Sequence, residues 1–206
     1  MKRRIGMALC WMVTASVPLL AQDRLYPVTG RPDIPTLLTG DHSSFVAEKT
    51  FEYKLTLGFP TNERSEFLPS TRARIVMLWL RIENLSQHPM EVNVAKFTST
   101  DDAGRAYSVL TIDEVFNRII AETGGSAIVS KTLRGVSLGR AGNKPTEEQL
   151  KEDMVRYGLQ SGRIPPRSIK EGLIYFEGPQ RKKFILNVGL GDLWSMPFIF
   201  SNVKSK

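Results

Sequence analysis

The segment from Arg72 to Glu83 reads RARIVMLWLRIE and is apolar at nearly every position of its middle part. Neighbouring side chains of a β-strand point to opposite sides of the sheet, so this segment presents two apolar faces. One face holds Val76, Leu78, Leu80 and Ile82, and the other holds Ile75, Met77, Trp79 and Arg81. A strand of a two-layer sandwich buries only one face, so a further layer of structure is predicted to cover Met77 and Trp79.

Other segments with the two-residue period of half-buried strands lie on both sides of this one. The stretch 51–59 alternates apolar and polar residues up to Pro60, and the stretch 90–94 does so after a polar turn. Further strands are predicted at 107–110, 173–176, 184–188 and 196–200. Many short strands separated by turn residues predict a mainly β protein, folded as an antiparallel sandwich.

The pattern changes to a helical one between about 113 and 158. Thr111 and Glu114 form a capping box, and apolar residues at helical spacing predict a helix over 112–122. A second amphipathic helix is predicted to end at Gly158, with Met154, Val155 and Tyr157 among its apolar residues. The stretch 126–144 is rich in glycine and basic residues without a sustained period, which predicts a mobile basic loop. The sequence thus predicts a two-helix insertion in the sandwich.

The N-terminus has the order of a secretory signal: Lys2, Arg3 and Arg4, then an apolar run, then Ala21. Cleavage after Ala21 is predicted, which removes residues 1–21 and leaves no stable membrane span; an uncleaved N-terminal anchor is the alternative. The segment 22–44 is predicted to be an extended, proline-rich lead-in to a domain that spans 45–203. The protein is therefore expected to be exported, to the periplasm or the exterior.

Two runs of the mature chain carry a family resemblance. The first is RIVMLWLRIENLSQHPMEVNVAKFTSTDDAGRAYSV and the second is RIPPRSIKEGLIYFEGP. They resemble the telokin-like, immunoglobulin-like extracellular domains of bacterial lipoproteins and secreted antigens. The matching residues are Ile82, Asn84, Val92, Phe97, Asp102, Gly104 and Tyr107 in the first run, and Pro166, Gly172, Phe176 and Pro179 in the second.

The resemblance implies an immunoglobulin-like antiparallel sandwich, extracellular residence, and a binding or accessory role with no catalytic residues. The chain departs from the family's pattern in the insertion at about 113–158, which is longer than expected between those strands. It also has Arg167 where the family's proline turn more often has glycine. The insertion is therefore the feature most expected to distinguish this member of the family.

The residue types used by common enzymes are few and scattered. His42 and His88 are the only histidines, and Cys10, the only cysteine, leaves with the signal. No nucleophile elbow or phosphate-binding loop is present. We therefore predict no catalytic residue, no cofactor and no metal site. An enzyme that uses carboxylates stays open, because Asp and Glu have no signature motif.

Two short motifs have both a structural and a functional interpretation. Asp101 and Asp102 beside Gly104 could attract calcium, but two carboxylates do not fill the six or more positions that the ion needs, so a turn is favoured. Asn84, Leu85 and Ser86 spell an acceptor for N-glycosylation.

The insertion and the second face of the central strand define a possible partner or ligand surface. Phe116 and Ile120 of the first helix could simply cover Met77 and Trp79, or a groove could remain between sheet and helices for a ligand or partner. In the second case the basic residues of the loop would meet an anionic group. The possible surface consists of Met77, Trp79, Phe116, Arg134, Arg140 and Lys144.

Charge excludes one class of partner. The formal net charge of +7 falls by three, to +4, when Lys2, Arg3 and Arg4 leave with the signal. The remaining basic residues form no dense run, so nucleic acid is not expected as a partner. The sequence predicts a non-enzymatic binding or assembly module, with a protein or an envelope component as its partner. The alternatives are the carboxylate enzyme and a structural subunit that donates an edge strand.

Overall fold

The computed structural model describes residues 25–28, 36–38, 44–49, 52–58, 74–123, 147–179 and 183–202. Within these ranges lie twelve strands and two α-helices. In chain order they are β1 (Tyr26–Pro27), β2 (Thr36–Leu38), β3 (Ser44–Lys49), β4 (Tyr53–Gly58), β5 (Ile75–Asn84), β6 (Met90–Val92), β7 (Thr98–Asp101), β8 (Ala106–Tyr107), α1 (Ile112–Thr123), α2 (Glu147–Tyr157), β9 (Gly162–Ile164), β10 (Ile169–Glu177), β11 (Ile185–Gly189) and β12 (Phe198–Ser201). The predicted signal peptide lies outside the described residues.

The strands form two antiparallel five-stranded sheets and one small two-stranded sheet. Sheet A has the order β1-β12-β11-β7-β8, sheet B has the order β10-β5-β4-β3-β2, and β6 pairs with β9. The central strand β5 pairs with β10 along its full length, from Ile75 opposite Glu177 to Glu83 opposite Ile169. The prediction of a mainly β, antiparallel sandwich is confirmed.

Sheet A also takes in part of the predicted lead-in. Leu25 is fully buried in the core, and the amide of Val28 donates to the carbonyl of Ile199 at 2.9 Å. Pro27 fits in β1 because β1 is an edge strand. On an edge strand the missing N–H of a proline can face away from the neighbouring strand, so the sheet loses no hydrogen bond. Residues 25–28 of the predicted lead-in therefore belong to sheet A.

The inner core lies between the two sheets. Sheet B contributes one face of β5 together with Leu55 and Leu57 of β4, and sheet A contributes its facing side chains from β11 and β12. The fully buried members include Leu55, Leu57, Leu78, Leu80, Ile82, Phe176, Leu186, Val188, Phe198 and Phe200. The face of β5 that was predicted from Val76 to Ile82 is the one that enters this core.

A second core lies on the other face of sheet B, and we call it the helix-side core. Helices α1 and α2 pack there against β5 and β10, which gives the sandwich a third layer. Its buried members are Ile75, Met77, Leu110, Val115, Ile119, Met154, Leu173 and Tyr175. The prediction that a further layer covers the second face of β5 is confirmed.

The ends and the packing of the helices follow from local sequence. The predicted capping box at the start of α1 is confirmed, because the Thr111 amide donates to Glu114 Oε2 at 2.7 Å and the Glu114 amide donates to Thr111 Oγ1 at 3.2 Å. Hydrogen bonds from the amide and the hydroxyl of Thr111 to the carboxylate lower the pKa of Glu114. Lys151 of α2 pairs with Asp113 of α1 at 2.5 Å, which ties the two helices together. In the described part of the chain, no helix is long and apolar enough to cross a bilayer.

Asn84, which matches the family's pattern, and Arg167, which departs from it, both lie at turns of the fold. Asn84 is 1% exposed, and its side-chain amide donates to the carbonyls of His88, Ile164 and Pro165. Arg167 has a backbone φ of 57°. That left-handed conformation suits glycine better than a residue with a Cβ atom, which accounts for glycine at this place in the pattern.

Candidate functional site

The predicted surface is only partly accessible. Met77 is fully buried in the helix-side core, whereas Trp79 and Phe116 pack at its margin and are half-buried. The structure therefore brings these three residues together, but only Trp79 and Phe116 reach solvent. Arg134, Arg140 and Lys144 lie outside the described residues.

Helix α2 exposes two of the apolar side chains of the predicted amphipathic helix. Met154 is buried, but Val155 is 47% exposed and Tyr157 is 40% exposed. The guanidinium carbon of Arg156 lies 5.7 Å from the centre of the Tyr157 ring, within the range of a cation–π contact. The last turn of α2 thus presents an aromatic, a cationic and an aliphatic side chain to solvent.

A cavity of about 830 Å³ opens on the flank of the sandwich, and we call it the flank cavity. It lies where the chain after β8 crosses from sheet A to the edge of β10. The Leu110 amide donates there to the Tyr175 carbonyl, and the Leu159 amide, just after α2, donates to the Leu173 carbonyl, both at 2.8 Å. Residues 94–95, 97–100, 106–112, 159–161 and 173–175 form its wall.

The described residues in the wall of the flank cavity carry no charged side chain, although 24% of the chain is charged. Its apolar part comes from both cores, with Phe97 and Leu159 from one and Leu110 and Leu173 from the other. Its polar part consists of hydroxyl groups and the amide of Gln160. The cavity is therefore suited to bind an uncharged molecule, and its wall offers no carboxylate or imidazole for general acid–base chemistry.

Three tyrosine hydroxyls near the core differ in their partners. Tyr107 donates to Asp101 at 2.8 Å, and Tyr53 donates to the Leu193 carbonyl. Burial raises the pKa of both, that of Tyr53 to about 12. Tyr175 lines the flank cavity, is 4% exposed, and makes no hydrogen bond through its hydroxyl to any described residue. Burial raises its pKa as well, so the hydroxyl keeps its proton at neutral pH.

A smaller cavity of about 440 Å³ adjoins the first and shares Phe97 and Ser161 with it. It contains Glu91, Lys96 and Asp192, and Lys96 pairs with Asp192 at 2.5 Å. Both members of this pair are largely exposed, so solvent weakens their interaction.

The structure decides between the two interpretations of each short motif. The Asp101 carboxylate accepts hydrogen bonds from the amides of Ala103 and Arg105 and from Tyr107, so it is used by the turn. Among the described residues, no group of three or more Cys, His, Asp or Glu could hold a metal ion. The Asn84 amide nitrogen, to which a glycan would be attached, is buried and donates to backbone carbonyls. The folded domain therefore does not offer it as an acceptor.

Replacing Ser99 by alanine is expected to stabilise the protein by about 1 kcal/mol. Ser99 is 1% exposed, and its hydroxyl has no partner among the described residues, so folding strips the group of water without replacing the lost hydrogen bonds. Urea unfolding of Ser99→Ala measures the change. The control is Ser86→Ala, which removes a hydroxyl that donates to Asn84 Oδ1 at 2.8 Å and should therefore destabilise. A loss of stability in Ser99→Ala would contradict the assignment of an unpaired hydroxyl.

No protein-family model matches the chain, and no curated protein matches it. Three solved structures share features of its fold at low identity. The yjhA protein from Bacillus subtilis is 12% identical over 74% of this chain and 92% of its own, with a TM-score of 0.37. The secreted protein MPT63 from Mycobacterium tuberculosis is 12% identical over 84% and 96%, with a TM-score of 0.35. The ycdA protein of Bacillus subtilis, a candidate lipoprotein, is 11% identical over 88% and 37%, with a TM-score of 0.30.

These TM-scores are too low to assign a family or a function to the chain. The telokin-like family therefore stays a resemblance in the sequence.

Proposed function

We propose that the protein is an exported, non-enzymatic binding or assembly module of the bacterial cell envelope or exterior. We further propose that the layer formed by α1 and α2, here called the helical layer, is its specific binding surface. The observation that carries the proposal is the last turn of α2. There Val155 and Tyr157 are exposed beside Arg156, while Met154 anchors the same turn in the helix-side core. Tyr and Arg on a rigid element are the residue types that most often dominate the energy of protein interfaces.

Two further observations support binding rather than catalysis. Among the described residues, the wall of the flank cavity has no carboxylate, imidazole or amine for proton transfer. Trp79 and Phe116 lie half-buried at the margin of the helical layer, where an occupant could cover what remains exposed of them. We further propose that Arg134, Arg140 and Lys144, which lie outside the described residues, contact anionic groups of the partner.

The double substitution Val155→Lys with Tyr157→Ala is expected to reduce partner capture at least tenfold in a crosslinking pull-down from the native envelope fraction. Truncation of an interface tyrosine and a new charge at its neighbour should together cost well over the 1.4 kcal/mol that corresponds to tenfold. Both sites are exposed, so folding should persist. Point substitutions are preferable to deletion of 113–158, because deletion would uncover Met77 and Tyr175.

The matched control replaces two exposed isoleucines on the sheets, Ile169→Ala with Ile185→Lys, which are 53% and 39% exposed. It should capture the same partner as the unaltered protein. A triple alanine variant at Arg134, Arg140 and Lys144 tests the charge contribution. If the α2 double variant and the control capture equal amounts, the helical layer is not the specific surface.

A further inference from the structure

We infer that the flank cavity is a second binding site, separate from the helical layer, and that it takes an uncharged, mainly apolar ligand held by a hydrogen bond from Tyr175. The ligand class is a neutral amphiphile with a carbonyl acceptor, such as an acyl ester. Nothing in this inference depends on the proposed protein partner. It rests on the size of the cavity, the chemistry of its wall and the hydroxyl of Tyr175, which has no partner among the described residues.

Size and shape admit such a ligand. The volume of about 830 Å³ lies within the range of roughly 300–1,000 Å³ that is typical of small-molecule sites. The cavity sits where the inner core and the helix-side core meet, so apolar side chains from both reach its wall. Leu110, Leu159 and Leu173 would surround an acyl chain there.

Charge decides between a neutral and an ionic head group. As far as the structure describes it, the wall of the flank cavity offers no Lys, Arg or His to pair with a carboxylate or phosphate, and no Asp or Glu to pair with an amine. Moving an unpaired ion out of water into such a place is strongly unfavourable. Exposed uncharged groups, including Gln160 and Ser161, can instead hydrate a neutral polar head at the surface.

Tyr175 supplies the polar contact inside. A buried tyrosine hydroxyl normally finds a hydrogen-bond partner. Tyr175 is 4% exposed and lines the cavity, yet its hydroxyl has no partner in the described part of the chain. Tyr107 lines the same cavity, but its hydroxyl is already engaged by Asp101 at 2.8 Å. A ligand carbonyl in the cavity would satisfy the Tyr175 donor, which the protein itself leaves unused.

The test compares two probes of equal chain length, monooctanoylglycerol and octanoate, each kept below its aggregation concentration. Binding is followed by titration calorimetry and by methyl chemical shifts of the full mature protein. We expect the neutral ester to saturate and to shift the methyl signals of Leu110, Leu159 and Leu173. We expect octanoate at neutral pH to bind at least tenfold more weakly, because the cavity has no cation for its carboxylate.

Two conservative variants separate ligand contact from folding. Tyr175→Phe should weaken ester binding at least fivefold and leave the urea midpoint unchanged or slightly higher, because no internal hydrogen bond is lost. Tyr53→Phe, at a residue that does not line the cavity, should do the reverse: it loses the hydrogen bond to the Leu193 carbonyl and lowers the midpoint, while ester affinity stays within twofold. The inference is overturned if the ester does not bind, if its shifts lie away from the cavity, if octanoate binds equally well, or if Tyr175→Phe binds the ester unchanged.

Discussion

Asn84→Asp is expected to lower the free energy of unfolding by about 3–4 kcal/mol at neutral pH, the largest effect of any single substitution considered for this chain. The side-chain amide of Asn84 is buried and donates to the carbonyls of His88, Ile164 and Pro165, at 2.8, 3.2 and 3.1 Å. A carboxylate of the same shape would donate nothing and would place a negative charge against three carbonyl oxygens.

The size of this effect follows from what Asn84 connects. Its donor side fixes the turn after β5 to the turn before β10, while its Oδ1 accepts from the amide and the hydroxyl of Ser86. Losing the donors therefore leaves backbone carbonyls of two separate turns without their partner. The introduced carboxyl group should prefer its neutral form in the folded state, so the loss of stability should shrink as the pH is lowered toward about 4.

Asn93→Asp provides a matched control, because it also replaces a side-chain amide by a carboxylate. Asn93 is exposed, and its side chain acts only as an acceptor, taking the amide of Ala95 at 3.1 Å at the start of a short 3-10 turn. A carboxylate accepts equally well there, so the free energy of unfolding should change by less than about 0.5 kcal/mol. Urea unfolding followed by tryptophan fluorescence measures both variants. Similar losses at the two positions would contradict the account of Asn84 as a donor.

The sequence predicted those parts of the fold that depend on side-chain periodicity. The alternation in 72–83 correctly separates the residues of β5 that enter the inner core from those that enter the helix-side core. The same pattern also indicates that a further layer is needed, and helical spacing in the insertion identifies what supplies it. In each case the signal is local, because apolar residues that recur with a period of two or of 3.6 residues indicate which side of a strand or helix is buried.

What the sequence did not predict depends on segments that are distant along the chain. The flank cavity is built from four segments between residues 94 and 175, and no periodicity in any of them indicates a shared space. Tyr107 and Tyr175 both lie in apolar strand segments, yet only the tertiary structure shows that one hydroxyl has a partner and the other does not. The exposure of Val155 and Tyr157 in the last turn of α2 was not predicted for the same reason, because it depends on where neighbouring elements lie and not on residue type.

Gly172→Ala is expected to lower the free energy of unfolding by about 2–3 kcal/mol. A Cβ atom at Gly172 of β10 would lie 2.6 Å from the amide nitrogen of Leu159, 2.7 Å from its Cα and 2.9 Å from the carbonyl carbon of Gly158. All three are backbone atoms of the segment that leaves α2 and bonds to the edge of β10 at Leu173. The segment cannot rotate away as a side chain can, so it would have to move as a whole.

Gly189→Ala is the control, because it creates a similarly close contact with a side-chain atom instead of with backbone atoms. The added methyl at Gly189 would come equally close to a neighbour, 2.5 Å from Thr98 Oγ1, but that atom is the end of a side chain that can rotate. We expect a loss below about 1 kcal/mol there, measured in the same urea experiment. Equal losses would mean that the segment after α2 yields as easily as a side chain. Because residues 159–161 form one wall of the flank cavity, displacement of that segment should also weaken ester binding in Gly172→Ala.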